Sequence, residues 1–307
     1  MAVLADSAAF SDKRIVTSRR KLSAVMLYIA MITLKKVYLE IGNICNLACA
    51  FCPGTRRAPR MLSLEEFSLL AQKIRPHAQY LYFHLMGEPL LHPLLAEFLE
   101  IAGELGFQVM ITTNGTLLRE KGEILCQSPA LLKVNISLQS FEANSAGALG
   151  EYLDTCFAFA DRANAAGKRC EFRLWNRNGL DALNPEIETR LAEAFPKPWK
   201  KSREGWKLRD NLWLEPGERF DWPDLDAGDR GGRCFCYGLR DQAGVLCDGT
   251  VVPCCLDHEG DVALGNLFTQ SLEEILLSDR ARAIREGFSD RRAVEELCRR
   301  CGYARRF

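Results

Sequence analysis

The chain has 307 residues, 48% of them apolar and 26% charged, the composition of a folded globular protein with room for one large domain or two ordinary ones. Forty basic residues balance forty acidic ones, so the total charge gives no reason to expect a nucleic-acid or membrane partner. Thirteen cysteines in metal-like spacings, with no clear secretory signal, fit metal sites in a reducing cytoplasm better than a disulfide framework.

Residues 1–30 read as an N-terminal extension. Arg19, Arg20 and Lys21 precede an apolar run from Leu22 to Leu34. The run is too short to span a bilayer, and no small-residue cleavage site follows it. A disordered extension, or translation from Met26 or Met31, is favoured over a membrane anchor. The first strand is Val37 to Ile41. Directly after it stand Cys45, Cys49 and Cys52, a C-x3-C-x2-C cluster. Three thiolates within eight residues can wrap one iron–sulfur cluster, because soft sulfur ligands suit such clusters. Three is one short of a complete cysteine set, so one iron stays open for chemistry. The bland alternative is a zinc knuckle or buried free thiols.

Strands and helices then alternate. Ser63-Leu-Glu-Glu66 is a capping box that opens a helix with an apolar stripe at Leu64, Phe67, Leu70, Ala71 and Ile74. Strands follow at Tyr80–Leu85, Gln108–Thr113, Lys133–Leu138 and Phe172–Trp175, with helices at Pro93–Leu105, Thr116–Cys126, Glu151–Ala166 and Pro185–Phe195. Asn211–Glu215 is a possible sixth strand. Strands joined by helical crossovers give a parallel α/β sheet. Six βα units fall short of the eight of a closed TIM barrel, so the expected fold is a partial, open (β/α)6 barrel of TIM type. Chemistry in such folds gathers at the C-terminal ends of the strands. The cysteine loop, Gly87-Glu88-Pro89, Asn114 and Ser137 all fall at such ends.

Composition shifts near residue 196 into an irregular stretch with four tryptophans between 199 and 222. The expected division is a barrel with its bridge over 31–225 and a small cysteine-rich domain over 226–307. Its thiols include Cys236, Cys254, Cys298 and Cys301. Cys254 follows a hairpin with an Asp248-Gly249 turn. Cys298 and Cys301 follow a helix opened by the capping box Ser271-Leu-Glu-Glu274. Four thiolates would close a site, and closed thiolate sites are structural zinc or electron-transferring iron–sulfur clusters. Spacing alone does not choose between them.

The cysteine loop and Gly87-Glu88-Pro89 resemble the radical SAM superfamily, over roughly Val37 to Trp175. The resemblance implies that Cys45, Cys49 and Cys52 hold three irons of a [4Fe–4S] cluster whose fourth iron chelates S-adenosylmethionine. One electron then releases a 5′-deoxyadenosyl radical, which abstracts hydrogen from substrate. It also implies that Gly87, Glu88 and Pro89 contact the methionyl amino group, although Met86 stands where the family has a glycine. Asn114, Ser137 and Arg173 are implied as further contacts to the cofactor ribose or carboxylate. His84 and Gln139 lie beside this set without an assigned role.

Cys247-Asp-Gly-Thr-Val-Val-Pro-Cys-Cys255, then Leu264-Gly-Asn-Leu267 and the terminal C-x2-C resemble the SPASM/twitch extension of that superfamily, over roughly Cys234 to Tyr303. This implies one auxiliary [4Fe–4S] cluster on Cys236, Cys254, Cys298 and Cys301. Cys255 stands as an alternative to Cys254, and Cys234 to Cys236. A second auxiliary cluster would need these extra thiols, Cys247 among them. The expected function is oxidation or modification of a peptide or sugar-like substrate by radical chemistry. The electron donor would be a flavodoxin or ferredoxin. A non-enzymatic iron–sulfur carrier or a zinc scaffold is the alternative.

Overall fold

The computed structural model describes residues 33–144, 148–203 and 205–306. The extension expected over 1–30 lies outside them. Among the described residues, five strands alternate with helices in the first half: β1 (Lys36–Leu39), β2 (Tyr80–Tyr82), β3 (Gln108–Thr113), β4 (Leu131–Ser137) and β5 (Arg169–Arg177). The helices between and after them are α1 (Leu64–Ile74), α2 (Leu95–Glu104), α3 (Leu118–Gln127), α4 (Leu149–Ala165) and α5 (Asn184–Ala194). Then come β6 (Lys200–Lys201), β7 (Trp206–Arg209), β8 (Leu212–Glu218), β9 (Gln242–Val245), β10 (Thr250–Val252) and β11 (Gly265–Asn266). The chain closes with helices α6 (Leu272–Leu277), α7 (Asp279–Ser289) and α8 (Glu296–Arg299). No helix among the described residues is long and apolar enough to cross a membrane.

All strands join one sheet in the order β11-β10-β9-β1-β2-β3-β4-β5-β8-β7-β6. Neighbours from β1 through β5 to β8 are parallel, which makes β8 the sixth barrel strand. Strand alternation sorts the side chains. On β5, Phe172 faces the helices and meets the rings of Phe157 and Phe195. Glu171, Arg173 and Trp175 face the other way, into a cavity. The expected Phe172–Trp175 strand is therefore too short: charged residues on the inner face hid its first half. The irregular stretch after residue 196 instead forms an antiparallel edge, β6-β7-β8, turned at Asn211 with φ 57°.

Residues 34–307 form one compact unit. Within it the cysteine-rich segment extends the barrel's own sheet. β9 pairs with β1 in parallel, and β10 returns antiparallel to β9. The Asp248-Gly249 turn between them uses a φ of +85° at Gly249, a left-handed value that glycine adopts freely. Both capping boxes form as the sequence reads: Ser63 with Glu66, and Ser271 with Glu274.

Candidate active site

Cys45, Cys49 and Cys52 sit in the loop that leaves the C-terminal end of β1, the outer two exposed and Cys49 half-buried. Two buried side chains shape that loop. The Asn43 amide donates to Ala58 O at 2.9 Å and accepts from Arg60 N at 2.8 Å, closing the loop's neck. Glu40, wholly buried, accepts two hydrogen bonds from Arg57 at 2.7 and 2.8 Å, one from Met86 N at 3.2 Å and one from Cys247 N at 3.0 Å. One carboxylate thus joins β1, the cysteine loop, the segment before Gly87 and the β9–β10 turn. The C-terminal segment grips the loop too: Trp222 Nε1 donates to Phe51 O at 3.1 Å, and Arg57 Nε to His258 O at 2.8 Å.

Polar hydrogens point at the sulfurs. Asn144 Nδ2 lies 3.0 Å from Cys49 Sγ, while its Oδ1 accepts from Ala48 N at 3.0 Å. Leu47 N lies 3.5 Å from Cys45 Sγ. Burial pushes all three thiol pKa values up, and these donors oppose it at Cys45 and Cys49. Donors aimed at sulfur are what thiolate ligands of an iron–sulfur cluster accept. Among the described residues no three His, Cys, Asp or Glu side chains converge on a single ion; thiolates that each bind a different iron do not need to.

Gly87, Glu88 and Pro89 pack against this loop. Gly87 has φ +78°, and a Cβ there would stand 2.5 Å from Gly42 O and 2.9 Å from Ile44 O, so only glycine lets the two loops touch. Glu88 N donates to Ile44 O at 2.9 Å. The buried Glu88 carboxylate accepts from Leu90 N at 3.0 Å, Thr113 Oγ1 at 2.8 Å and Asn114 N at 2.8 Å. Burial raises its pKa, and these three bonds pull it back. Its oxygens therefore tie the turn to the end of β3. Pro89 begins a short 3-10 turn. Asn114 reaches back to the cysteine loop through Asn46 Oδ1 at 2.9 Å.

The inner face of the strands lines a cavity of about 920 Å³. Ser137 and Arg173 share one level of the sheet with Glu215. Arg173 Nε lies 3.0 Å from Glu171 Oε1 and 3.2 Å from Glu215 Oε2, and its guanidinium stacks 4.5 Å above Trp175. Lys133 pairs with Glu171 from the other side at 2.5 Å. This network divides the two carboxyls: Arg173 and Lys133 hold Glu171 down at about 2 against burial, while burial and the neighbouring Glu171 push Glu215 up to about 8. His84 also lines the cavity, with Nε2 3.2 Å from Thr112 Oγ1. Burial lowers its pKa to about 3, so it is neutral. Nδ1 of His84 and Oε1 of Gln139 are buried without partners among the described residues. Both residues line the cavity, although these two atoms are themselves shut off from it.

The other end of the same cavity is lined by Cys234, Cys236, Cys254, Cys255, Cys298 and Cys301. Sheet register explains the separation. Val252 on β10 is level with Gly244, and Gly244 with Tyr38, so the chain leaves β10 toward the start of β1. Burial pushes the Cys254 and Cys298 thiols well up, and neighbouring thiols push the same way: Cys236, Cys255 and Cys298 on Cys254, and Cys236, Cys301 and Cys234 on Cys298. The four sequence-selected thiols are thus brought together, with Cys234 beside them. Cys255 leans instead on Lys36 and Tyr38. Cys247 is elsewhere, buried against Glu40 and Arg57. Sequence reading overlooked Asn144, Glu40 and Arg57. Glu40 carried one readable signal, a charge ending an apolar strand. Asn144 carried none, since its role depends on a contact 95 residues away.

Comparison with known proteins agrees with this layout. Residues 39–170 match the model of the radical SAM superfamily, and residues 234–302 match SPASM, an iron–sulfur cluster-binding domain. A GTP 3′,8-cyclase of Microcystis aeruginosa is 33% identical, with 81% of this chain and 90% of that protein covered. A tungsten-containing aldehyde ferredoxin oxidoreductase cofactor-modifying protein of Pyrococcus furiosus is 32% identical, but only 26% of that protein and 29% of this chain are covered. Among solved structures, BtrN in complex with AdoMet and 2-DOIA superposes with a TM-score of 0.58 at 18% identity, covering 87% of this chain and 92% of BtrN. Streptococcus suis SuiB bound to S-adenosylmethionine gives 0.61 at 16% identity, covering 94% and 75%. The chain belongs to the radical SAM superfamily: it is an enzyme that binds a [4Fe–4S] cluster and S-adenosylmethionine, followed by a SPASM domain that binds an auxiliary iron–sulfur cluster.

Proposed function

We propose that this enzyme carries out the two-electron oxidation of a small, polar, sugar-like substrate, or of a peptide side chain of that character, inside the cavity floored by its C-terminal thiols. The observation that carries the reading is the continuous cavity itself. Its walls are barrel residues such as Thr112, Ser137, Arg173 and Glu215, and its floor is the C-terminal cysteines. The cavity's volume is that of a small-molecule site. Its mixed lining of aromatic rings, hydroxyls and both charge signs suits a hydroxylated substrate with an apolar ring face.

Bound at Cys45, Cys49 and Cys52, the cluster with S-adenosylmethionine supplies one-electron cleavage and hydrogen abstraction. The protein's part is placement. Asn144 and Leu47 N steady the thiolates. Glu88 fixes the Gly87 turn and the Asn114 backbone, and so positions the methionyl site rather than donating a free oxygen to it. Gln139, His84 and Ser137 line the cavity. Arg173, tied to Glu171 and Glu215, belongs to the substrate wall rather than to the cofactor carboxylate. Cys236, Cys254, Cys298 and Cys301 are the auxiliary ligands, since Cys255 turns toward Tyr38. Substrate oxidation releases a second electron, and a closed thiolate site at the cavity floor is placed to receive it. A flavodoxin- or ferredoxin-type donor in the cytoplasm would supply the first.

The test is anaerobic reconstitution with iron, sulfide, S-adenosylmethionine and dithionite, followed by incubation with hydroxylated aminocyclitols and with a serine- or threonine-containing peptide. The reading expects 5′-deoxyadenosine together with a product two hydrogens lighter from the cyclitol class. Equal amounts of 5′-deoxyadenosine with and without every such compound, and no oxidised product, would reject it.

A further inference from the structure

Lys36 opens β1 on the cavity face. Its ammonium lies 5.1 Å from the centre of the Tyr38 ring and 5.0 Å from that of Tyr82. Ring faces attract a cation but supply no opposite charge. Among the described residues no carboxylate lies within ion-pair distance of Lys36, whereas the other cations lining the cavity have carboxylate partners. Lys35 pairs with Asp241 at 2.7 Å, Lys133 with Glu171 at 2.5 Å, and Arg173 with Glu171 and Glu215 at 3.0 and 3.2 Å. Among the described residues Lys36 is therefore the cavity-lining cation that no carboxylate meets at ion-pair distance.

The geometry shows what faces that cation. Lys36 is level with Gln242 on β9, and the Pro253-Cys254-Cys255 segment leaves β10 toward that level. Cys255 packs against the Tyr38 and Tyr82 cluster. Burial, Arg173 and Lys133 oppose the charge on Lys36, and negative charge at Cys255 or Asp241 would favour it. The floor thiol that stands beside this ammonium is Cys255, next in sequence to the proposed ligand Cys254.

We propose that Lys36 is the counter-charge of the auxiliary cluster and raises its reduction potential, so that the cluster can accept the second electron of substrate oxidation. A four-thiolate iron–sulfur site is negatively charged and gains one more negative charge on reduction; a nearby cation stabilises the reduced form, and low solvent exposure keeps salt from screening it. Lys36 is a positioning residue in this account and touches no reacting atom. The inference rests on the proposed auxiliary ligand set at the cavity floor.

The experiment uses the full chain with Cys45, Cys49 and Cys52 changed to Ala, so that only the auxiliary cluster gives a signal. Iron is counted first, and the cluster is then titrated by EPR-monitored reduction. Lys36→Met should lower the reduction equilibrium constant about tenfold, a shift of about 59 mV for one electron. Lys36→Arg should hold the parent potential. Lys35→Met, which removes an exposed lysine, should leave it unmoved. Lys36→Gln gives the same neutral comparison if the Met variant loses iron. An unchanged potential in the neutral variants with the cluster present overturns the inference alone. So does an equal shift in the Lys36→Arg or Lys35→Met protein. Absence of any iron–sulfur signal in the parent overturns the ligand set as well.

Discussion

Cys45, Cys49 and Cys52 come from one short loop and stand exposed or half-exposed. Cys236, Cys254, Cys298 and Cys301 come from three separate segments and are half-buried at the cavity floor. The first set is preassembled by covalent proximity, and its loop is held by Asn43, Glu40 and Asn144 with further bonds from Glu88 N and Trp222. The second set exists only when β9–β10 has docked on β1 and α8 has returned beside it. Thiols that are adjacent in the chain therefore carry chemistry on a fold that stands without them. Thiols gathered from afar also carry part of the fold, because a metal site that closes such loops adds its binding energy to folding.

The sharpest way to break this contrast is to delete each set. Changing Cys45, Cys49 and Cys52 to Ala should abolish 5′-deoxyadenosine formation and leave the melting temperature nearly unchanged. Changing Cys298 and Cys301 to Ala should stop product formation, lower the melting temperature and spare some uncoupled cleavage of S-adenosylmethionine. Equal thermal effects, measured by calorimetry on reconstituted proteins, would erase the distinction.

Glu40 comes next, since it joins the two regions. Its loss leaves Arg57 without its buried partner, and breaking a buried pair in this way costs about 3–5 kcal/mol. Glu40→Ala should show that loss in denaturant unfolding. A change under 1 kcal/mol would mean that the loops are held by other contacts.

Glu88→Ala strips the acceptor from Leu90 N, Thr113 Oγ1 and Asn114 N. Buried donors left unmatched cost roughly 1–3 kcal/mol each. S-adenosylmethionine affinity should fall about tenfold or more by equilibrium binding, with iron content intact. Unchanged affinity would remove Glu88 from the cofactor site altogether.

The smallest effect concerns pH. Glu215 has its pKa raised to about 8 in the folded protein, above the unfolded carboxyl value near ~4.3. Between those values the folded state holds a proton that the unfolded state has lost, so stability falls as pH rises across this window. Glu171, held at about 2, works oppositely: its contribution is present above ~4.3 and lost as pH drops toward 2. Glu215→Gln should therefore flatten the stability profile from pH 5 to 8 and leave the acid limb in place. A profile that still falls in that range would assign the proton to another group.

The sequence made the six-strand alternation, both capping boxes and the cysteine spacings legible, because each is a local signal. The inner face was harder to read. On β5, Glu171 and Arg173 break the apolar pattern that marks a strand, yet Glu171 is buried and Arg173 half-buried because Lys133 and Glu215 arrive from neighbouring strands to pair with them. Asn144 and Lys36 escaped for the same reason: their partners, Cys49 and the β10 exit, are brought close only by tertiary contacts. Glu88 was visible as an anion beside the cofactor loop, but its full set of internal donors was not. The division after residue 225 was drawn on composition, while β9 carries the barrel's sheet across it.

The central claim is that the chain holds two iron–sulfur sites of different kinds, one in the loop after β1 and one at the floor of the cavity. The most direct measurement is iron analysis with EPR of the reduced protein, before and after S-adenosylmethionine is added. The account predicts about eight irons per chain, as two four-iron clusters. One signal should change on addition of S-adenosylmethionine, and that signal should be absent when Cys45, Cys49 and Cys52 are Ala. Zinc in the second site, or a response to S-adenosylmethionine that survives in the triple variant, would contradict it.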